Sequence, residues 1–209
     1  MTIKGRILAG AVLEARQLVT IHSKATRIPD QQRLVHLQFR RFAGCPVCNL
    51  HLRSFVQRHE EIEASSVQEV VVFHSTAEVL LPHAAELPFA VIADPGKQLY
   101  REFGVESGLR ALFDPRAWIP ILRGVFRSLR AVLHKQEPMP SIRPEGGRFG
   151  LPADFLIARD GRVLASKYGA HAYDQWSVDE VLTLARGAQR IADSITQSYG
   201  HPDDISSKL

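Results

Sequence analysis

The chain has 209 residues and two cysteines, which stand three apart as Cys45-Pro46-Val47-Cys48. Thiols at this spacing lie within disulfide reach, so one can attack and the other can resolve. A secreted disulfide scaffold would spread several cysteines along the chain to close long loops. A structural zinc site normally needs four Cys/His ligands, and one Cys-x-x-Cys leaves it half built. His51 or His36 could add a ligand to such a half site, although a solvent-facing helical His51 is the simpler expectation. Inert buried thiols remain a further alternative. The favoured reading is a redox pair held in a reducing compartment, and therefore in the cytoplasm. It needs no cofactor and no metal.

Positioning decides whether such thiols react. Leu34 to Phe39 alternates apolar with polar and predicts a strand. Leu50, Leu52, Phe55, Val56 and Ile62 recur at helical spacing through a segment ending near Glu63. The cysteines thus fall where a strand hands over to a helix. Unpaired N–H groups at a helix start carry partial positive charge and stabilise a thiolate. The expected thiol pKa lies below the free value of ~8.5. Pro46 suits the first helical turn, where no N–H is required. Arg40 and Arg41 add positive charge nearby.

The remaining pattern predicts a strand over 67–73 and a helix over 76–86. A short strand follows at 89–92 and a short helix at 98–103. Strands at 153–158 and 163–168 flank an Asp160-Gly161 turn, and a helix spans 178–195. Residues 17–28 read as a small hairpin. A βαβ unit followed by a ββα unit is the thioredoxin-like α/β arrangement, built around a central mixed sheet. In that arrangement a cis proline lies beside the cysteines. The position falls on Pro152, which is expected to follow a cis bond and, with Leu151, to position substrate.

One domain over 1–209 is expected, with 45% hydrophobic and 23% charged residues supplying a single core. Residues 1–30 read as an N-terminal extension, a helix over 6–16 and then the hairpin. The apolar run Ile7–Leu13 is at the short edge for a signal segment and too short to span a bilayer. Residues 105–150 form a basic insertion with a helix candidate, Val125 to Leu133. It carries eight basic and four acidic residues, an excess equal to the +4 of the whole chain. Arg123, Arg127 and Arg130 share one face of that helix. A solvated face is the plain reading; a surface docking an acidic partner is the alternative, and makes the chain a non-catalytic binding module. The overall charge is too mild to point to nucleic acid, and no membrane association is expected.

The segment Leu37-Gln38-Phe39-Arg40-Arg41-Phe42-Ala43-Gly44-Cys45-Pro46-Val47-Cys48 resembles the active-site stretch of the peroxiredoxin-like, AhpC/TSA-related branch of the thioredoxin-fold superfamily. Phe155 to Val163 resembles that family's following hairpin. The likeness implies an oxidoreductase that reduces peroxides or protein disulfides. It also implies a thiol reductant of thioredoxin or glutathione type, and allows a homodimer. The family's peroxidatic cysteine follows a threonine by three residues. On that alignment Cys48 takes the peroxidatic place and Cys45 replaces the threonine. The family's arginine before the late strand is replaced by Pro152, and Arg40, Arg41 or Arg148 could supply its charge. Thioredoxin analogy makes Cys45, taken as the more exposed, the attacking sulfur. Peroxiredoxin analogy makes it Cys48. Cys45 is preferred for exchange chemistry.

Overall fold

The computed structural model describes residues 5–42, 44–105 and 151–199. The elements run β1 (Arg16–Val19), β2 (Ala25–Ile28), β3 (Leu34–Phe39), α1 (Pro46–Gln57), α2 (His59–Ala64), β4 (Val67–Phe73) and α3 (Ala77–Ala84). They continue as β5 (Ala90–Ala93), α4 (Gln98–Glu102), β6 (Ala153–Ile157), β7 (Val163–Tyr168) and α5 (Val178–Tyr199). β1 and β2 form an antiparallel pair, and the other strands form one sheet in the order β5-β4-β3-β6-β7. β3 is central, parallel to β4 and antiparallel to β6. This is the mixed α/β sheet of a thioredoxin-like fold. The insertion and its basic face lie outside the described residues, apart from Val105.

Period two divides the sheet into two faces. Val35, Leu37 and Phe39 of β3 join Val70, Val72, Phe155 and Ile157 in one core cluster. The Phe39 ring there meets Tyr100, Phe103 and Phe155 at centroid distances of 5.0, 5.1 and 5.8 Å. Each such pair adds about 0.5–1.5 kcal/mol beyond its buried area. The opposite face lies under the helices. Phe55 and Ile62 pack there with Leu156, Trp176, Val181 and Leu182. At the start of α5, Ser177 and Glu180 exchange hydrogen bonds as a capping box.

Two expectations fail in instructive ways. Residues 5–15 hold no helix; the run passes along the β6–β7 turn with a tight turn of its own at Ala9–Gly10. Gly10 N–H donates to the Val163 carbonyl at 2.8 Å, and Leu13 N–H to the Gly161 carbonyl at 2.9 Å. Gly161, at φ +87°, permits this approach, since a Cβ there would stand 2.5 Å from the Leu13 oxygen. The helix expected to reach Glu63 is two helices broken at Arg58 (φ −118°, ψ 23°). The Arg58 guanidinium binds Glu61 and reaches Asp179 of α5 at 2.6 Å.

The alternation in β3 has a further consequence. Its polar residues do not face water: His36, Gln38 and the adjoining Arg40 are fully buried beneath the helices. His36 Nδ1 meets the Glu69 carboxylate at 2.9 Å, and its Nε2 lies 3.3 Å from Asp154 Oδ1. Arg40 Nη2 donates to that same Asp154 oxygen at 2.8 Å. Gln38 bridges, donating to Glu69 and accepting from Arg40. Nδ1 is hydrogen-bonded to Glu69, while Nε2 stands near Asp154 without a hydrogen bond; two carboxylates this close favour the imidazolium. Two cations then face two anions.

Burial disfavours the His36 charge, but Glu69 and Asp154 outweigh it and lift the pKa to about 9. Asp154 is likewise opposed by burial, yet Arg40 and His36 hold its carboxyl well below the usual range. The His36 contribution to stability is therefore complete below the unfolded value near 6.5 and is lost as pH rises through about 9. Its size is on the order of 3 kcal/mol. Urea unfolding between pH 6.5 and 9 should show this decline, and His36→Gln should flatten it. Asp154→Asn leaves two buried cations with one anion and should cost about 3–5 kcal/mol at pH 7.

Candidate functional site

The chain leaves the end of β3 through Arg41 and Phe42. Cys45 N–H donates to the Phe42 carbonyl at 3.2 Å, closing a turn in which Gly44 adopts φ +70°. Cys45, in extended geometry (φ −60°, ψ 115°), is the N-cap of α1, and Pro46 starts the helix. The Cys45 carbonyl accepts the first helical bond, from Asn49 N–H at 2.9 Å. Its sulfur accepts from Cys48 N–H at 3.4 Å, where a capping Ser or Asp would place an oxygen. The strand-to-helix junction predicted for the cysteines is thus present, and the helix-start amide reaches Cys45 sulfur.

Both thiols are free and both are 1% exposed. Cys45 is therefore not the more exposed of the two: the turn folds both sulfurs inward among Ile21, Phe42, Leu52, Phe73 and Leu80. Burial pushes the Cys48 thiol well above its ordinary pKa, and its hydrogen bond to Cys45 adds to that rise. The nearby Arg41 charge opposes the rise. Of the two arginines after β3, Arg41 acts on Cys48, whereas the Arg40 guanidinium is engaged by Asp154, Gln38 and the Phe39 carbonyl. Arg148 lies outside the described residues.

His51 is buried rather than solvent-facing. Its Nε2–H donates to the Trp176 carbonyl at 2.8 Å. Burial, reinforced by the Arg40 charge, lowers its pKa to about 3, so the ring is neutral. His36 is held by its two carboxylates. Among the described residues no group of three or more His, Cys, Asp or Glu side chains could hold a metal ion. Among them, too, no helix is long and apolar enough to cross a membrane.

The Leu151–Pro152 bond is trans, and the cis peptide among the described residues is Ile28–Pro29. The Pro152 carbonyl accepts from Gly169 N–H at 2.9 Å, so this segment continues the β6–β7 ladder by one residue. Glu69, Asp154 and Tyr100 escaped the sequence reading. Tyr100 donates from its hydroxyl to the Arg40 and Val72 carbonyls, tying down the backbone ahead of the cysteine turn. The available signal was charge inside strands: Glu69 and Asp154 interrupt apolar runs at positions that share the face of His36.

A cleft of about 600 Å³ opens between α1 and α3. Its walls include Leu52, Phe73 and Leu80, which also pack the cysteine cluster, together with Gly44 and His83. His83 comes from α3, and three of its ring atoms lie 2.9–3.3 Å from where a Gly44 Cβ would sit.

The structure is similar to peroxidoxin BcpB of Mycobacterium tuberculosis, with a TM-score of 0.61 at 15% identity, covering 87% of this chain and 98% of that one. It is similar to the reduced 2-Cys peroxiredoxin of Plasmodium vivax, with a TM-score of 0.58 at 14% identity, covering 90% and 99%. It also resembles a Chlorobium tepidum protein described as a thiol:disulfide interchange protein, DsbE, with a TM-score of 0.52 at 19% identity, covering 85% and 97%. These likenesses establish the fold. A search of curated protein sequences finds no match. The family model of the AhpC/TSA antioxidant enzymes matches residues 54–171, a span that begins after Cys48. That span exceeds half of the chain, and the chain belongs to the AhpC/TSA antioxidant enzyme family.

Proposed function

We propose that the protein is a dithiol oxidoreductase in which Cys45 attacks a disulfide and Cys48 resolves the product. The single observation that carries this reading is the Cys48 N–H to Cys45 sulfur contact at the start of α1. A hydrogen bond to an anionic sulfur favours that form, and the helix-start amides add their partial charge. Cys48, kept protonated by burial, can donate to Cys45 and is held in reserve. The pair therefore has one sulfur whose anion the helix start favours and one kept protonated; with both 1% exposed, the turn before α1 must open for Cys45 to attack.

The exchange balances as follows. Cys45 thiolate bonds to one sulfur of the substrate disulfide; the S–S bond breaks, and the leaving thiolate takes a proton from solvent. Cys48 loses its proton to solvent and attacks Cys45, releasing the second substrate thiol. The substrate gains two electrons and the protein becomes the Cys45–Cys48 disulfide. A thiol reductant of thioredoxin or glutathione class restores the dithiol. Membership in the antioxidant family supports peroxide reduction as a second reading, in which one sulfur passes through a sulfenic acid before the same disulfide forms.

Trapping separates the readings. With Cys48→Ser, a model disulfide should leave a stable mixed disulfide on Cys45, seen by intact mass. With Cys45→Ser, no adduct should form at neutral pH. A peroxide pulse that oxidises Cys48→Ser no faster than a free thiol argues for exchange; rapid sulfenic acid argues for peroxide.

Burial makes a further prediction. In Cys45→Ser, alkylation of Cys48 by iodoacetamide should stay slow at pH values where a free thiol reacts readily, and should rise at once in urea. Fast labelling of folded Cys48 at pH 7 contradicts the packing described above.

A further inference from the structure

The cleft between α1 and α3 is larger than a peroxide needs. At about 600 Å³ it has the size of a site for a drug-sized ligand or a short peptide segment. It is also continuous with the chemistry. Leu52, Phe73 and Leu80 belong both to its lining and to the cluster around the two sulfurs, and Gly44, next to Cys45, forms part of its wall.

His83 is the unusual member of this lining. It is half-buried, and makes no hydrogen bond, ion pair or ring contact with any described residue. Burial lowers its pKa, so at neutral pH the ring is uncharged. A neutral imidazole offers one donor and one acceptor. That pairing matches the N–H and C=O of a peptide backbone. Asn49, also in the lining, repeats it. The apolar side chains Val56 and Leu81 are 39% exposed and stand ready to cover apolar side chains of a ligand. One cation, Arg53, and one anion, Glu86, balance the charge of the cleft. Such a lining does not select a polyanion.

Resting on the exchange reading above, we propose that this cleft seats a polypeptide segment adjoining the substrate disulfide, with His83 as its hydrogen-bonding specificity residue. The substrate class is then a protein disulfide rather than hydrogen peroxide or a small disulfide. The missing side chain at Gly44 lets the His83 ring lie against the backbone beside Cys45. This seats the bound segment against the backbone next to Cys45, whose sulfur lies behind the shared Leu52, Phe73 and Leu80.

The test uses two probes. One is a nonapeptide with two leucines and a central cysteine in a mixed disulfide with a chromophoric thiol; the other is the small disulfide hydroxyethyl disulfide. His83→Leu should slow the peptide reaction about 5–10-fold, the loss expected for about one hydrogen bond, through a raised KM at unchanged kcat. Leu81→Glu should act in the same direction. Both variants should react with the small disulfide within about twofold of wild type. Equal loss on both probes overturns the proposal, because it places His83 in the chemistry or the folding. No loss on either probe overturns it as well.

A binding arm separates this proposal from the redox reading. The Cys45→Ser, Cys48→Ser protein should bind the same peptide with serine at its centre, by calorimetry, and lose binding with His83→Leu. Binding without any disulfide reactivity of the wild-type protein sustains the cleft and removes the exchange mechanism. Reactivity with small disulfides but no peptide binding removes the cleft and leaves the mechanism standing.

Discussion

The Asp154 carboxylate joins most of what holds this site in place. It receives Arg40 at 2.8 Å, stands 3.3 Å from His36, and accepts Trp176 N–H at 3.3 Å. Three parts of the chain therefore converge on one buried anion: β3, β6 and the turn entering α5. Unpaired, a carboxylate there would neutralise or expel the helices above it. Paired, it is part of a network in which every charge has its opposite. Such networks are weak contributors to net stability compared with an apolar core, and breaking one is costly. Their effect is to specify one arrangement of sheet and helix.

That arrangement reaches the cysteines through the backbone. Arg40, held by Asp154, is the last residue before the turn that leads to α1. Its carbonyl is held in turn by the Tyr100 hydroxyl, which also contacts Val72 on the neighbouring strand. His51, one turn beyond Cys48, is anchored by the carbonyl of Trp176, the residue whose N–H reaches Asp154. The start of α1 is thus fastened on both sides of the Cys45–Cys48 pair. Rigid fastening matters because an N-cap hydrogen bond to sulfur depends on the angle at which the chain enters the helix.

The same packing sets a tension. Amides at the helix start favour an anionic Cys45, while the apolar surround opposes charge and excludes solvent from both sulfurs. Burial dominates at Cys48, whose thiol is pushed up despite Arg41. At Cys45 the amide contact supplies the compensating attraction. In the exchange proposed above, such inequality lets the two thiols act in turn instead of competing for one substrate.

Periodicity and punctuation along the chain determined much of this protein. β3, β4 and β7 lie where alternation or apolar runs place them, because strand burial writes period two directly into residue choice. The Cys-x-x-Cys at a strand-to-helix junction was legible for the same reason. Local pattern does not say what lies above a face. The alternation at His36 and Gln38 marks a polar face of β3 but not that helices cover it, and the charges of Glu69 and Asp154 come from strands distant in sequence. Nor does it say how an apolar run is used: Ile7–Leu13 has helical composition, but Gly161 opens a place for its backbone beside β7. The exposure of the cysteines, the trans bond before Pro152 and the meeting of His83 with Gly44 were likewise tertiary decisions. Each depends on which distant segment arrives, and neighbouring residues along the chain carry no record of that.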